Sequence, residues 1–366
     1  MIETQAAVLT AVNVPLELTT IRVDDPEPYE VRVAVTNVGL CHSDLHYMTG
    51  TVPPDHLPVV VGHEVAGVVE AVGSAVTQLK PGDRVTGALT PSCGLCTNCS
   101  AGRSTQCQRV QEIRQRPRSA YQTTGGDPID RLGAVGAFSR HILLRENALV
   151  KLPDDVPLHV GCLLSCCIVT GVGAVFRGAE VRPGSTVAVI GCGGVGSAII
   201  QGARLAGASA IVAIDLDEDR LKAARTYGAT HVINGGEGDT VEELHRLLGG
   251  GVDYAFEAVG SARTAQTALA LVRPTGTACL VGIAPAGSEI SVPAHDFFFL
   301  EKRLIGSYMG SGQAREDIAQ FARLYQQGRL LLDEMVTRVI PFAEINEGFE
   351  AMKSGDVTRI VVDLQS

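Results

Sequence analysis

The sequence predicts an α/β protein with two unlike parts, one β-rich and barrel-like, the other built on a doubly wound parallel sheet. Three observations predict it. The first 150 residues carry apolar alternation and turn signals with little helical periodicity. From about Pro157, short apolar runs alternate with helical stretches, the pattern of parallel strands joined by crossover helices. Between the first of those runs and its helix lies a glycine-rich turn.

In chain order, Val31-Arg32-Val33-Ala34-Val35 alternates as a half-buried strand does. Val59-Val60-Val61 and the run 65–72 are β-branched stretches around glycine, and Pro81-Gly82-Asp83 is a turn signal. Further on, Thr186–Ile190 reads as a buried strand, 195–205 as a helix and 211–214 as the next strand. Strands are also expected at Tyr254-Ala255-Phe256 and 278–281, then a helix at 317–326 and two terminal strands. The segment 108–137 stands apart, because Arg109, Arg114, Arg116 and Arg118 crowd one stretch of an acidic protein. It reads as a solvated loop or as a guide for anionic substrates.

The chain has 366 residues, enough for two separate cores. A formal net charge of −10 argues against a nucleic-acid surface, which needs concentrated Lys and Arg. No run of about 20 apolar residues occurs, so no membrane span is expected. Met1-Ile2-Glu3-Thr4-Gln5 lacks the basic and apolar blocks of a signal peptide, and a cytoplasmic protein is expected. Ten cysteines in that compartment are expected as thiols, and their clustering points to metal.

Gly191-Cys192-Gly193-Gly194-Val195-Gly196 fits G-x-G-x-x-G, follows a strand, opens a helix, and is followed about 20 residues later by Asp215 at the end of the next strand. That is a full dinucleotide fingerprint. Gly191 permits the tight turn, Gly193 lets a pyrophosphate approach the backbone, and Gly196 allows close helix–strand packing. Asp215 suits the two ribose hydroxyls of NAD and repels the extra phosphate of NADP, so NAD is the expected cofactor. The plainer reading of Asp215 is a helix cap without a ligand.

Cys93-x2-Cys96-x2-Cys99-x7-Cys107 offers four thiolates in a turn-rich segment, the ligand set of a structural zinc. A nucleic-acid zinc ribbon, the competing use, needs two separated knuckles and basic neighbours. Cys41, His63 and Cys166 are dispersed, and spacing alone does not make them a site.

Nearly the whole chain resembles the zinc-dependent medium-chain alcohol dehydrogenases. The resemblance is carried by the stretch 39–46 with Cys41-His42-Ser43-Asp44-Leu45-His46, by Gly62-His63-Glu64, the four-cysteine lobe, the stretch 161–171, the glycine-rich turn and Ile345-Asn346-Glu347-Gly348-Phe349. It implies a GroES-like catalytic domain, 1–167 with 309–366, and a Rossmann domain, 168–308. It implies a catalytic zinc held by Cys41, His63 and Cys166 with the fourth position open, a ligand set known for catalytic zinc. Cys166 rather than Cys167 is chosen because it aligns with the family ligand four residues after Cys162. Two zinc ions per chain follow, with a homo-oligomer, a dimer before a tetramer.

The same resemblance implies that Ser43 takes the alcohol proton, that His46 ends the relay to solvent, and that Asp44 orients His63 from behind. Glu64 matches the family glutamate behind the zinc, or else is a buried carboxylate paired with Arg359 or another base. Toward the nucleotide it implies His42 and Arg359 at pyrophosphate, Thr170, Val195, Val281 and Ile283 at nicotinamide, Val259 on the adenine side and Arg220 near the adenosine ribose. Leu89 and Phe138 match the alcohol pocket, and Leu in place of a larger aromatic leaves room for a bulky or aromatic alcohol. The expected function is NAD-dependent oxidation of a primary or secondary alcohol. A thiol-dependent formaldehyde dehydrogenase is the alternative; Gln111, where those members carry Arg, discourages it. A member holding NAD tightly is a further alternative. The intact ligands and relay argue against a non-enzymatic nucleotide-binding protein.

Overall fold

The computed structural model describes residues 1–354 and 358–366. The chain divides into two compact units, Met1–Cys166 with Gln313–Ser366, and Cys167–Gly312.

The first unit begins with strands β1 (Ile2–Leu9), β2 (Glu17–Val23), β3 (Glu30–Gly39), β4 (Val59–Val60), β5 (Glu64–Val72), β6 (Arg84–Gly87), β7 (Tyr121–Thr123), β8 (Pro128–Arg131), β9 (His141–Arg145) and β10 (Leu149–Lys151). β1, β2, β7, β8 and β4 close into a small barrel. The alternation in β3 explains its place: Val31, Val33 and Val35 are buried in the core, while Arg32 reaches outward to Glu70 at 2.7 Å. β3 and β5 pair antiparallel with a register shift between Val35 and Asn37, which resets the strand before it delivers Gly39 and Cys41.

The arginine-rich segment departs from the expectation of a cationic guide. It folds as a short helix, Val110–Arg114, then β7 and β8, and its arginines are tied down. Arg116 has only a 5% exposed side chain and faces Glu30 at 3.1 Å and Glu27 at 3.4 Å. Arg118 grips both carboxylate oxygens of Asp24, and Arg114 donates to the Leu89 carbonyl at 2.6 Å. Carboxylates at the ends of β2 and β3 claim the charges of Arg116 and Arg118, so these two are not a free cationic guide, while much of the segment stays on the solvated surface.

The second unit holds β11 (Thr186–Ile190), β12 (Ala210–Asp215), β13 (His231–Asn234), β14 (Val252–Glu257), β15 (Val272–Leu280) and β16 (Arg303–Gly306). They form a parallel sheet in the order β13-β12-β11-β14-β15-β16, with the order reversing beside β11. The strands expected at 254–256 and 278–281 are the apolar portions of β14 and β15; β15 begins earlier, at Val272. Helices Gly194–Leu205 and Glu218–Tyr227 follow β11 and β12. The second is capped by Asp217, whose carboxylate accepts from the N–H groups of Asp219 and Arg220, and stops at Gly228 with φ 118°.

The chain then returns to the first unit through helix Ala314–Gln326, β17 (Val336–Pro341) and β18 (Arg359–Asp363). These strands extend a second sheet of order β10-β6-β5-β3-β18-β17, with β9 also paired to β3. β18 lies antiparallel to β3, Val361 opposite Gly39, which brings Arg359 beside the β3 terminus.

Candidate active site

The site in the first unit is assembled by three chain turns. Cys41 caps the short helix His42–Met48 in extended conformation, His63 and Glu64 enter β5, and Cys166 ends a 3-10 turn. All four side chains are buried, and one ligand atom from each of Cys41, His63, Glu64 and Cys166 lies within 4.8 Å of the others. Asp44, on the first turn of the helix, is fully buried and accepts from the Gly62 N–H at 2.9 Å. The same oxygen lies 3.0 Å from His63 Nδ1. A carboxylate there fixes the proton on Nδ1 and leaves Nε2 as the lone-pair side. His63 Nε2 is buried with no hydrogen-bond partner. A buried, unpartnered imidazole nitrogen beside two thiols is a costly arrangement unless a cation completes it, so the residues fit a zinc ion.

The electrostatics agree. A hydrogen bond from Cys166 pulls the Cys41 thiol well below its usual range against the opposing effect of burial, and the His63 charge adds to the pull. Burial opposes a proton on His63, but the charges of Asp44 and Cys41 outweigh it and hold the imidazole well above its ordinary value. A metal ion would need the thiolate and the neutral imidazole, so its binding would release the proton from His63.

Glu64 is fully buried and forms an ion pair with Arg359, itself 5% exposed. A Cβ at Gly39 would meet a Glu64 oxygen at 2.2 Å, so only glycine leaves the carboxylate its place. Glu64 thus pairs with Arg359 while also standing in the cluster with Cys41, His63 and Cys166, and the pairing places Arg359 in the first unit beside Cys41. Ser43 is half-buried on the same helix. One turn on, His46 keeps a buried Nδ1 without a partner. His42 is exposed at the helix start.

Leu89 is partly buried and packs against Gly133, where a Cβ would meet its methyl at 2.4 Å. Phe138 is corrected: it is fully enclosed, edge-on to Phe349 with ring centroids 5.8 Å apart, and Gly62 sits against its ring. A buried aromatic in a barrel interior contributes as packing, and this one backs the His63 turn.

The four-cysteine lobe is compact. Cys93 and Cys99 Sγ atoms stand 3.9 Å apart. Ligands about 2.3 Å from a tetrahedral zinc stand about 3.8 Å from one another. Backbone N–H groups of Leu95 and Cys96 point at the Cys93 sulfur, and that of Arg109 at Cys107, as suits thiolates. Backbone N–H donors bring the Cys96 thiol down to about 6, while burial pushes Cys99 up to about 12.

In the second unit, the glycine-rich turn runs from Gly191, at φ 90°, into the helix opening at Gly194. A Cβ at Gly196 would strike the Gly191 carbonyl at 1.7 Å, whereas one at Gly193 meets nothing, as expected where space is kept for a ligand. Asp215 ends β12. One of its oxygens accepts from Cys192 N–H at 2.6 Å, the other from Leu216 and Asp217 N–H groups, and Arg220 Nη1 lies 4.0 Å away. Asp217 already caps the following helix, so Asp215 is not its cap. Val195 is half-buried at the helix start, and Thr170 is buried with its hydroxyl directed at Met309. Val259 and Ile283 are about half exposed, unusual for apolar residues following strand ends, and Val281 is half-buried between them.

Two residues of this region escaped the sequence reading. Leu216 is 73% exposed directly after Asp215; an apolar residue following the acidic one was the available signal. Glu257, buried at the end of β14, accepts from the N–H groups of Val259 and Gly260 at 2.9 and 2.7 Å and from the Thr264 hydroxyl, fixing the Val259 loop. A lone carboxylate closing an apolar strand was its only mark.

The family description "Alcohol dehydrogenase GroES-like domain" matches residues 27–154, and "Zinc-binding dehydrogenase" matches 194–327. An alcohol dehydrogenase zinc-binding domain protein from Burkholderia ambifaria is 33% identical, covering 99% of this chain and 99% of its own, with TM-score 0.94. The chain belongs to the zinc-dependent medium-chain alcohol dehydrogenases. This alcohol dehydrogenase family member is an oxidoreductase, with the GroES-like and Rossmann architecture the sequence predicted. Benzyl alcohol dehydrogenase from Acinetobacter calcoaceticus is 32% identical over 100% of both chains, TM-score 0.91. A zinc-binding dehydrogenase from Sinorhizobium meliloti, solved with NADP bound, is 27% identical over 100% of both, TM-score 0.84. No single helix among the described residues is long and apolar enough to cross a membrane.

Proposed function

We propose that this dehydrogenase oxidises a primary or secondary alcohol, aromatic or otherwise bulky, to the aldehyde or ketone with NAD, and carries two zinc ions per chain. The observation that carries the reading is the buried set Cys41, His63 and Cys166, with His63 Nε2 unpartnered and its other nitrogen held by Asp44. Those three residues would hold the catalytic ion, leaving one position for substrate, and Cys93, Cys96, Cys99 and Cys107 would hold the structural one. Zinc supplies a Lewis acid for the substrate oxygen, and nicotinamide supplies the hydride acceptor. Ser43 accepts the hydroxyl proton's hydrogen bond, and His46, with its free Nδ1, delivers the proton to solvent. Glu64 and Arg359 neutralise one another behind the cysteine ligand.

The glycine-rich turn would seat the pyrophosphate, and the exposed faces of Leu216, Val259 and Ile283 would cover adenine and nicotinamide. Arg220 and His42 would stand at the ribose and the pyrophosphate, and Thr170, Val195 and Val281 near nicotinamide. Asp215 supports NAD over the NADP bound by the Sinorhizobium relative, because its buried carboxylate would oppose a ribose phosphate. The 32% identity to a benzyl alcohol dehydrogenase supports the aromatic substrate class. Exposed Phe298 and Phe299, on helix Ala294–Phe299, support a homo-oligomer, a dimer first. The test is turnover of benzyl alcohol with NAD and with NADP, in wild type and in Asp215→Ser. Wild type should prefer NAD, and the variant should narrow the gap by roughly 1–3 kcal/mol. A wild-type preference for NADP would overturn the reading of Asp215.

A further inference from the structure

Nucleotides bind to doubly wound sheets outside the carboxyl ends of the strands, where the glycine-rich turn lies. At the opposite edge of this sheet is an open cleft of about 480 Å³, lined by residues that precede or begin β11, β14, β15 and β16. Arg182, Arg273 and Arg303 line it, together with Asp253. Asp253 is fully engaged: one oxygen accepts from the Thr186 backbone and hydroxyl, at 2.7 and 2.9 Å, and the other takes Arg273 Nε at 2.8 Å. Among the described residues no carboxylate pairs with Arg182 or Arg303, and both are exposed. A chain of net charge −10 therefore gathers three guanidinium groups in one cleft with a single carboxylate, which pairs with Arg273 and leaves two positive charges unmatched.

The backbone is shaped to the same end. Val252 pairs with Val272 and Tyr254 with Thr277, so Arg273–Gly276 bulges out of β15 opposite Asp253. In that bulge Thr275 has φ 65°, a left-handed conformation that a β-branched residue adopts only under constraint. Arg273 Nη1 donates to the Thr275 hydroxyl at 2.8 Å and to the Pro274 carbonyl at 2.7 Å, fixing its guanidinium at the cleft.

We propose that this cleft is a second anion site, separate from the nucleotide turn, that takes a small multivalent oxyanion of the diphosphate class. Arg182 and Arg303 supply the free forks; Arg273, held by Asp253, Pro274 and Thr275, adds at most a remaining Nη2 N–H, and the open cleft has ample room for the anion.

The experiment is calorimetric titration of the full-length protein with inorganic pyrophosphate and, separately, orthophosphate. Pyrophosphate should bind at least about tenfold more tightly than orthophosphate, and more weakly at high salt. The double variant Arg182→Ala/Arg303→Ala should weaken pyrophosphate about tenfold or more, with melting temperature and alcohol turnover unchanged. Gly193→Ala, which crowds only a ligand at the nucleotide turn, should leave this binding intact. Equal affinity in the double variant, loss in Gly193→Ala, equal binding of the two anions, or no binding at all would each overturn the proposal. So would a double variant whose sedimentation mass drops, since the arginines would then serve a subunit interface.

Discussion

Asp44 accepts a backbone N–H from Gly62 and holds His63 through the same oxygen, so one buried carboxylate fixes both the turn and the ligand's tautomer. Asp44→Asn keeps the shape and removes the charge. It is expected to release zinc from the Cys41 site about tenfold faster into a chelator, while the lobe zinc stays. Equal release rates would limit Asp44 to packing. His46 sits one helical turn from Ser43 with an unpartnered Nδ1. His46→Gln should slow alcohol oxidation about tenfold near and below neutral pH, with partial rescue by imidazole, once a deuterated alcohol shows that hydride transfer limits the rate. An unchanged pH profile would make His46 a plain surface histidine.

At the scale of elements, β11 and β14 are tied at their amino ends by Asp253, which accepts from Thr186 and Arg273. Burial pushes its carboxyl up, but the hydrogen bonds of Thr186 and then Arg273 prevail and hold it below its usual value. A depressed folded-state value means stability that is present above the unfolded value near 3.8 and lost as pH falls through the folded one. Asp253→Asn should therefore melt lower than wild type near neutral pH, and the difference should shrink below about pH 4. A difference constant with pH would contradict the linkage.

The same scale explains what could be read beforehand. The cysteine lobe and the glycine-rich turn are local, so spacing alone announces them. Cys41, His63 and Cys166 meet only because β3, β5 and a 3-10 turn converge, and resemblance rather than spacing singled them out. The start of β15 was hidden because Arg273-Pro274-Thr275 is a bulge with turn chemistry. The tethering of Arg116 depends on carboxylates about ninety residues upstream, which no local pattern reveals. Phe138 is assigned to the pocket by resemblance alone, and its enclosure against Phe349 is a property of the folded barrel that no local pattern reveals.

For the whole molecule, the proposed function divides the work between two sulfur-bearing sites, one holding the fold and one performing the oxidation. The direct measurement pairs zinc content with NAD-linked turnover of benzyl alcohol in wild type, Cys41→Ser and Cys99→Ser. Wild type should contain two zinc ions per chain. Cys41→Ser should keep the lobe zinc and a near-native melting temperature yet lose turnover by about a thousandfold or more, as expected when a metal's ligand set is broken. Cys99→Ser should instead lower the melting temperature by about 5 °C or more, while the protein still folded turns over alcohol. A Cys41→Ser protein that oxidises alcohol at the wild-type rate, or a wild type that is active with only the lobe zinc bound, would contradict the account.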